Sequence, residues 1–498
     1  MKKALVILLA ILMVSSCLVA CNDPVVDTGV SDVSKAEAGY DPESGRYVAD
    51  LPAFEWNVSD EKYTFFDVAV TSDEAQSTYY SEDIGYDKYS TTDEVINDAV
   101  MKRNHLVEEL TGVKIQAVYV KSVRTAVQDN AATGSQAYDM AMPFIYDAVT
   151  LAQDGLLFDL RDDRFADYLN LEMPWWDQNA NATFSVDGRL YFTTGDITIM
   201  TKINTWAITF NKEMYAELFP GEKSLYEIVE DGDWTFDKLV AFSKEATLDN
   251  GDNVWDYNDR WGLISAHSDA RNYFTASGES LAEKTDDDIP YITFGSTRSI
   301  DVAQGILEEF SALNTWHIYT NTIPVPSPWV TALDMFAGGQ VLFRTSVFSA
   351  IKKLRKYDDG IEFGIVPLPK YDEEQENYYS PSDPAGYAVV IPYNVPDPEF
   401  SAYMTELTCC EAKNYLTPAY YETTLKHRDA RDDESEEMLD LIFDNKKFDI
   451  GAIYNFGGIA DMFRNLSQSG SSDIASTFDS IKDAADAEIG ETVDNFRD

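Results

Sequence analysis

Trp175-Trp176-Asp177-Gln178-Asn179 places two indole rings beside a carboxylate and two amides in one consecutive run. A sugar ring has an apolar C–H face and an equatorial fringe of hydroxyls. A site for it needs a flat aromatic group to pack the face and planar polar side chains such as Asp, Asn, Glu and Arg to bond the fringe. Tyr146-Asp147 repeats that pairing, and Arg344-Thr345-Ser346 adds a guanidinium fork followed by two hydroxyls. Taken one at a time, aromatic residues in a globule of this size belong to the core. The grouping with polar residues is what points to a saccharide.

Signatures of enzymatic chemistry are missing from the sequence: it holds no H-E-x-x-H, G-x-S-x-G, G-x-G-x-x-G, G-x-x-x-x-G-K-[ST] or C-x-x-C. Paired carboxylates carry no information in a chain with 87 acidic residues. His105 falls in the first predicted helix, and His267, His317 and His427 are scattered without metal-ligand spacing. Asp249-Asn-Gly-Asp-Asn-Val-Trp-Asp256, continuing to Asp259, is rich in oxygen ligands. It lacks the glycine at position six and the glutamate at position twelve of an EF-hand loop, so it reads as a solvated acidic turn, with Ca²⁺ as the alternative.

The elements that must position these residues are legible as alternating strands and helices. Tyr63–Val70 is an aromatic and β-branched run that predicts a strand. Thr91-x-x-Glu94 forms a capping box before apolar residues at a 3.6 period from Ile96 to Leu110, and Val113–Val120 alternates as a second strand. Strand, helix and strand make a βαβ unit, so the sheet starts parallel. Tyr138–Phe144 predicts a third strand, followed by helix at Ala148–Leu156. Further strands are expected at Arg189–Phe192, Thr205–Phe210, Gly339–Phe343, Ile361–Val366 and Tyr387–Ile391. Helices are expected at Lys212–Leu218, Thr235–Leu248, Ser299–Leu313, Ala402–Thr408, Glu436–Asn445 and Ser472–Ala487. The class is α/β. Tyr146-Asp147 follows the third strand, and the carboxyl ends of parallel strands are where open α/β sheets bind ligands.

Lys and Arg number 38 against 87 Asp and Glu, a net charge of −49, which excludes a nucleic-acid binder because counterion release needs a basic footprint. Apolar residues at 45% and aromatics at 13% supply too much buriable surface for a disordered chain. Since single cores stop growing near roughly 250–300 residues, 498 residues should form two lobes, and no Pro/Ser linker separates them.

Several segments, taken in order, resemble the bacterial family 1 extracellular solute-binding proteins, the sugar receptors of ABC importers. They are Tyr138-Asp-Met-Ala-Met-Pro with Asp154-Gly-Leu-Leu-Phe-Asp-Leu160, Pro174-Trp-Trp-Asp, and Gly188-Arg-Leu-Tyr191 leading to Ala207-Ile-Thr-Phe-Asn-Lys212. Then follow Asp233-Trp-Thr-Phe-Asp-Lys-Leu239 with Arg260-Trp-Gly262, Phe336-Ala-Gly-Gly-Gln-Val-Leu342, Phe363-Gly-Ile-Val-Pro-Leu-Pro369 and Thr417-Pro-Ala-Tyr-Tyr421. The resemblance implies a two-lobed clamp of the type II periplasmic-binding-protein kind, its discontinuous lobes joined by a hinge. Lobe one would span 61–203 and 345–408, and lobe two 204–344 and 409–498. It further implies a ligand site at Tyr146 and Asp147, at Asn204 on the first crossing and at Phe348 near Arg344; Trp175 and Trp176 join the candidates on the chemistry of their own run. Ser382-Asp383 before Gly386-Tyr387 is a further loop expected to face the cleft, giving Asp383 and Tyr387 as contacts. Maltose-binding relatives carry a tryptophan where this chain has Tyr146 and an acid where it has Asn204, departures that count against maltodextrin as the ligand. Trp234 is expected to pack a helix start. No catalysis and no cofactor are implied. The partners would be an oligosaccharide and the importer's permease subunits, and the protein would act as a monomer. A peptide or another solute in the same fold, and a secreted glycan hydrolase or adhesin, are the alternatives.

Lys2-Lys3, the apolar run Ala4–Val14 and the small residues after it have the layout of a signal peptide over 1–20, too short for a permanent membrane span. Leu18-Val19-Ala20-Cys21 resembles the bacterial lipobox, which implies that Cys21 carries the acyl chains, palmitate among them, and anchors the protein on the outer face of the cell membrane. Residues 21–60 would then be a flexible tether reaching on the order of 35 Å. The neighbours Cys409-Cys410 read as free, buried thiols, since adjacent Cα atoms stand closer than a relaxed disulfide allows.

Overall fold

The structure is a computed structural model that describes residues 38–72, 83–86, 94–311, 315–317, 325, 327–354, 361–421 and 433–497. The expected signal peptide, Cys21 and the Thr91 end of the capping box lie outside these residues.

The apolar run Phe65–Thr71 forms β1 and pairs in parallel with β2 (Lys114–Val120) through seven residue pairs, from Phe65 opposite Lys114 to Thr71 opposite Val120. Between them runs α1 (Glu94–Thr111), which ends at Gly112 with a positive φ of 80°, the left-handed turn that glycine makes at least cost. α2 (Val123–Thr133) starts on the Ser122 cap, whose hydroxyl accepts from the Thr125 N–H. β3 is short, Met140–Ala141, and lies on the other side of β1, again parallel; α3 (Ile145–Gln153) follows. The predicted βαβ start is present. Residues 387–392 extend this sheet beyond β3 by single bridges, Ala141 with Val390, Phe144 with Tyr387 and Leu157 with Pro392.

α4 (Met200–Ile203) leads through Asn204 into the second sheet. Its strands are β4 (Trp206–Asn211), β5 (Trp261–Ser265), β6 (Thr315–His317), β7 (Val341–Val347) and β8 (Phe363–Val366), in the order β6-β5-β7-β4-β8. β5 is parallel to both neighbours, and β4 is antiparallel to β7 and β8. Every residue of β4, β5, β7 and β8 is buried, so both faces of the sheet are covered and the strands read as apolar runs. Trp234 is fully buried, with its indole N–H on the Pro367 carbonyl at 3.0 Å, the packing role expected of it.

The division of the chain between the sheets departs from the expected boundaries. β8 pairs with β4, so residues 363–366 belong to the second sheet, and the chain rejoins the first only at 387–392 rather than at 345. Residues 448–456 and 485–496 pack in the core of the first sheet, with Val123, Ile145 and Val390, although they follow 409. Strand pairing and helix docking decide these memberships, and both act across sequence distances that local pattern does not encode. α5 (Pro398–Pro418) runs through the expected boundary at 408 without a break and is capped by Asp397, whose carboxylate accepts from Phe400 N–H. Its Phe400–Cys410 stretch packs under the first sheet, and Ala412 and Leu416 join Ile96, Val100, Phe336 and Phe348 in a core shared with the second. Cys409 and Cys410 are free and buried on this helix. No helix among the described residues is long and apolar enough to cross a membrane.

Candidate functional site

Two separated segments, 145–146 and 204–206, meet at the loop 382–387. Asp383 N–H donates to the Asn204 carbonyl at 2.9 Å, and Asn204 Nδ2 donates to the Ala385 carbonyl at 2.9 Å. Trp206 Nε1, at the start of β4, donates to Asp383 Oδ2 at 3.1 Å, and Asp383 Oδ1 accepts from Ala385 N–H at 2.8 Å. On the side of the first sheet, Ile145 N–H donates to the Gly386 carbonyl at 2.9 Å and Tyr146 N–H to the Pro384 carbonyl at 3.3 Å. One loop thus ties the third strand's exit to the crossing between the sheets. The Oδ1 atom of Asn204 is buried and has no hydrogen-bond partner among the described residues.

Tyr146 opens α3 with its ring 45% exposed, stacked on Phe144 at 5.3 Å and 22°. Burial pushes its hydroxyl up to about 12, with the charges of Asp147 and Asp383 adding, so it is a neutral donor at physiological pH. Asp147 sits in the first turn of α3, where the helix dipole favours an anion, and pairs with Arg124 Nη1 of α2 at 2.9 Å. Burial raises the Asp147 carboxyl, and Arg124 works against that. From the second sheet, Asp269 follows β5, accepting from Ser265 Oγ and Ala266 N–H, both at 2.8 Å. Burial pushes it up to about 7, and the charge of Asp383 adds to this. The arrangement gathers the half-exposed Tyr146 ring and phenol, the Asp147 and Asp383 carboxylates and the buried Trp206 indole near the junction of two sheets, the kinds of group that a hydroxyl-fringed ring requires.

Of the residues expected from sequence, Tyr146, Asp147, Asn204, Asp383 and Tyr387 are brought together here. Tyr387 is fully buried, its ring 5.3 Å from Phe144, so it supports the loop and offers no free face. Trp175 and Trp176 lie elsewhere, 1% and 3% exposed, with their indole N–H groups on Glu406 Oε1 and Oε2 at 3.1 and 2.9 Å. Packing under the first sheet leaves both rings nearly buried, away from the 382–387 loop. Arg344 and Phe348 are each 2% exposed on β7 and just after it, and Phe348 stacks on Phe443 at 5.1 Å. They too are packed residues, because β7 is covered on both faces. Trp206, tied to Asp383, and the buried Asp269 after β5 are residues near this junction that the sequence reading did not name. An aromatic two residues past Asn204 was the available signal for the first; the second had none while β5 went unrecognised.

Asp259 Oδ1 and Oδ2 accept from the backbone N–H groups of Asn250 and Asp256, so this acid ties its loop together. Among the described residues no group of three or more His, Cys, Asp or Glu is placed to hold a metal ion.

Residues 107–408 match the family model described as bacterial extracellular solute-binding protein. No curated protein matches the sequence. Among solved structures, a cyclo/maltodextrin-binding protein complexed with maltotetraose aligns with a TM-score of 0.53 at 14% identity, covering 88% of this chain and 98% of that one. An ABC substrate-binding protein from Listeria monocytogenes in complex with cycloalternan gives 0.52 at 12%, covering 86% and 99%. The apo form of RafE from Streptococcus pneumoniae gives 0.50 at 12%, covering 86% and 97%. At such identities the likeness is one of fold, the two-lobed α/β fold of maltose-binding-type proteins. With the family match spanning more than half of its residues, this chain belongs to the bacterial extracellular solute-binding proteins.

Proposed function

We propose that the protein captures a carbohydrate, an oligosaccharide, between its two lobes and delivers it unchanged to the permease of an ABC importer. The observation that carries this reading is the meeting of Tyr146, Asp147, Trp206 and Asp383 at one loop between the sheets, a ring face among hydrogen-bonding groups. Structural neighbours described with maltotetraose and cycloalternan support the substrate class. The mechanism is binding without chemistry and without a cofactor. Closure removes water, so each hydrogen bond to the sugar hydroxyls strengthens, and the ligand shifts the population toward the closed form. The lobes divide as the two sheets do, with crossings near Asn204, near Asp383 and along α5. Cleavage before Cys21 and its acylation tether the monomer to the outer face of the membrane beside the permease.

A saccharide panel tests the reading in a thermal-shift assay, since a ligand bound only by the native state stabilises it by RT ln(1 + [L]/Kd). Oligosaccharides are expected to raise the Tm, and Tyr146→Ala to weaken binding about tenfold or more through the lost ring face and hydroxyl, with little change in stability for a side chain this exposed. A panel in which peptides stabilise the protein and no saccharide does overturns the substrate class.

A further inference from the structure

A cavity of about 220 Å³ opens beside α4; Trp175 and Trp176 contribute to its wall, and none of Tyr146, Asp147, Asp383 or Trp206 lines it. Its polar lining comes from Asp177, Asp196, Lys202, Lys413 and Lys446, three ammonium groups against two carboxylates. Asp196 accepts from Lys202 Nζ at 2.8 Å and from Thr417 Oγ1 at 2.7 Å, and Lys413 Nζ stands off at 3.6 Å. Asp177 accepts from Lys446 Nζ and caps Ala180 N–H at 3.0 Å. Burial opposes the charge on both acids, but the lysines outweigh it and hold them below the usual carboxylate range, so both are ionised. Burial likewise opposes the Lys202 charge, and Asp196 more than compensates.

The pocket therefore keeps one positive charge in a chain of net charge −49. It also keeps donors in excess. An ammonium carries three N–H groups, and among the described residues Lys202 and Lys446 each spend one within hydrogen-bond distance while Lys413 spends none. Apolar surface completes the lining. Tyr421 meets Phe443 edge to face at 5.8 Å, and Phe443 is held from behind by Phe348. The floor is fixed by Gly195, where a Cβ atom would stand 2.5 Å from the Trp175 carbonyl and 3.0 Å from Trp176 Cε3. The volume is below the roughly 300 Å³ at which pockets begin to take drug-sized ligands.

We propose that this cavity binds a monosaccharide-sized sugar acid, its carboxylate received by the lysines and its C–H face by the Tyr421–Phe443 pair. A monoanion matches the single surplus charge, and the rings favour a pyranose over an inorganic anion. The proposal stands whether or not the Asp383 loop takes an oligosaccharide.

The test titrates the full chain in detergent with glucuronate and galacturonate, with glucose and galactose as neutral parents, and with inorganic phosphate, read by isothermal calorimetry. A uronate is expected to bind where its neutral parent does not. Lys413→Gln should weaken it about tenfold or more, the worth of one charge-assisted hydrogen bond. Lys413→Arg, which keeps the charge, should retain most of the affinity, and Tyr146→Ala should leave it unchanged. Absence of uronate binding overturns the proposal, as does a uronate affinity indifferent to Lys413→Gln, one lost in Tyr146→Ala, or one matched by phosphate. Failure of the oligosaccharide reading is seen separately, in the response of Tyr146→Ala to neutral saccharides.

Discussion

Glu406 accepts both indole N–H groups of Trp175 and Trp176, and burial pushes its carboxyl up to about 8 from an ordinary 4.5. The folded chain thus holds a proton that the unfolded chain releases between these two values. Asp269, up to about 7 from 3.8, behaves in the same sense. Stability should therefore fall as pH rises from about 4.5 to about 8, by an amount on the order of a few kcal/mol from Glu406 alone. Glu406→Gln removes the titrating proton but leaves one indole without a carboxyl oxygen, at a cost on the order of 1 kcal/mol. Urea melts at pH 5, 6.5 and 8.5 check this: the variant should be the less stable at pH 5 and the more stable at pH 8.5. Parallel curves would remove the buried proton from the account. At the site itself, Trp206→Phe keeps the ring and deletes the bond to Asp383; a hydrogen bond to a charged group is worth about 1.5–3 kcal/mol, and chemical denaturation should register a loss in that range.

Among the elements, β1, α1 and β2 were legible because their periods differ clearly and each is long enough to show one. β5 was not. Trp261-Gly-Leu-Ile-Ser265 is a five-residue apolar run whose place between β6 and β7 comes from pairing alone. Losing β5 hid Asp269, whereas Tyr146 and Asp147 were visible as an aromatic and an acid at a strand exit, and the family resemblance supplied Asn204 at the crossing and set the Asp383 loop toward the cleft. For Trp175 and Trp176 the sequence showed rings among polar neighbours but not what holds them, since the Trp176 partner, Glu406, is 230 residues away. Gly262 explains why the Arg260-Trp-Gly262 segment has its form. A Cβ atom there would stand 1.9 Å from the Ser243 carbonyl oxygen, so the helix Phe236–Ala246 lies against β5 at backbone distance. Gly262→Ala must push helix and strand apart and should cost about 1–3 kcal/mol, seen as a lower denaturation midpoint with an unchanged slope.

For the whole molecule, a net charge of −49 means that folding gathers like charges and that self-repulsion opposes the compact state. Raising salt from about 0.01 M to about 1 M shortens the screening length from roughly 30 Å to roughly 3 Å, and the Tm should climb by a few degrees. The two proposed ligands respond differently to the same titration. A neutral oligosaccharide at the Asp383 loop exchanges hydrogen bonds with water and carries no net charge, so its Kd should stay level. A uronate drawn to the lysine cavity must enter through the field of an acidic surface and then bind a surplus cation, two effects of opposite sign. The cation lies within a few ångströms and partly out of water, where screening is weak, while the acidic surface acts over the longer distances that salt removes. Association should therefore speed up with salt while dissociation changes little, and stopped-flow binding at two salt concentrations separates the rates. A uronate whose dissociation rate rises steeply with salt would instead be held at the solvent-exposed surface, outside the cavity.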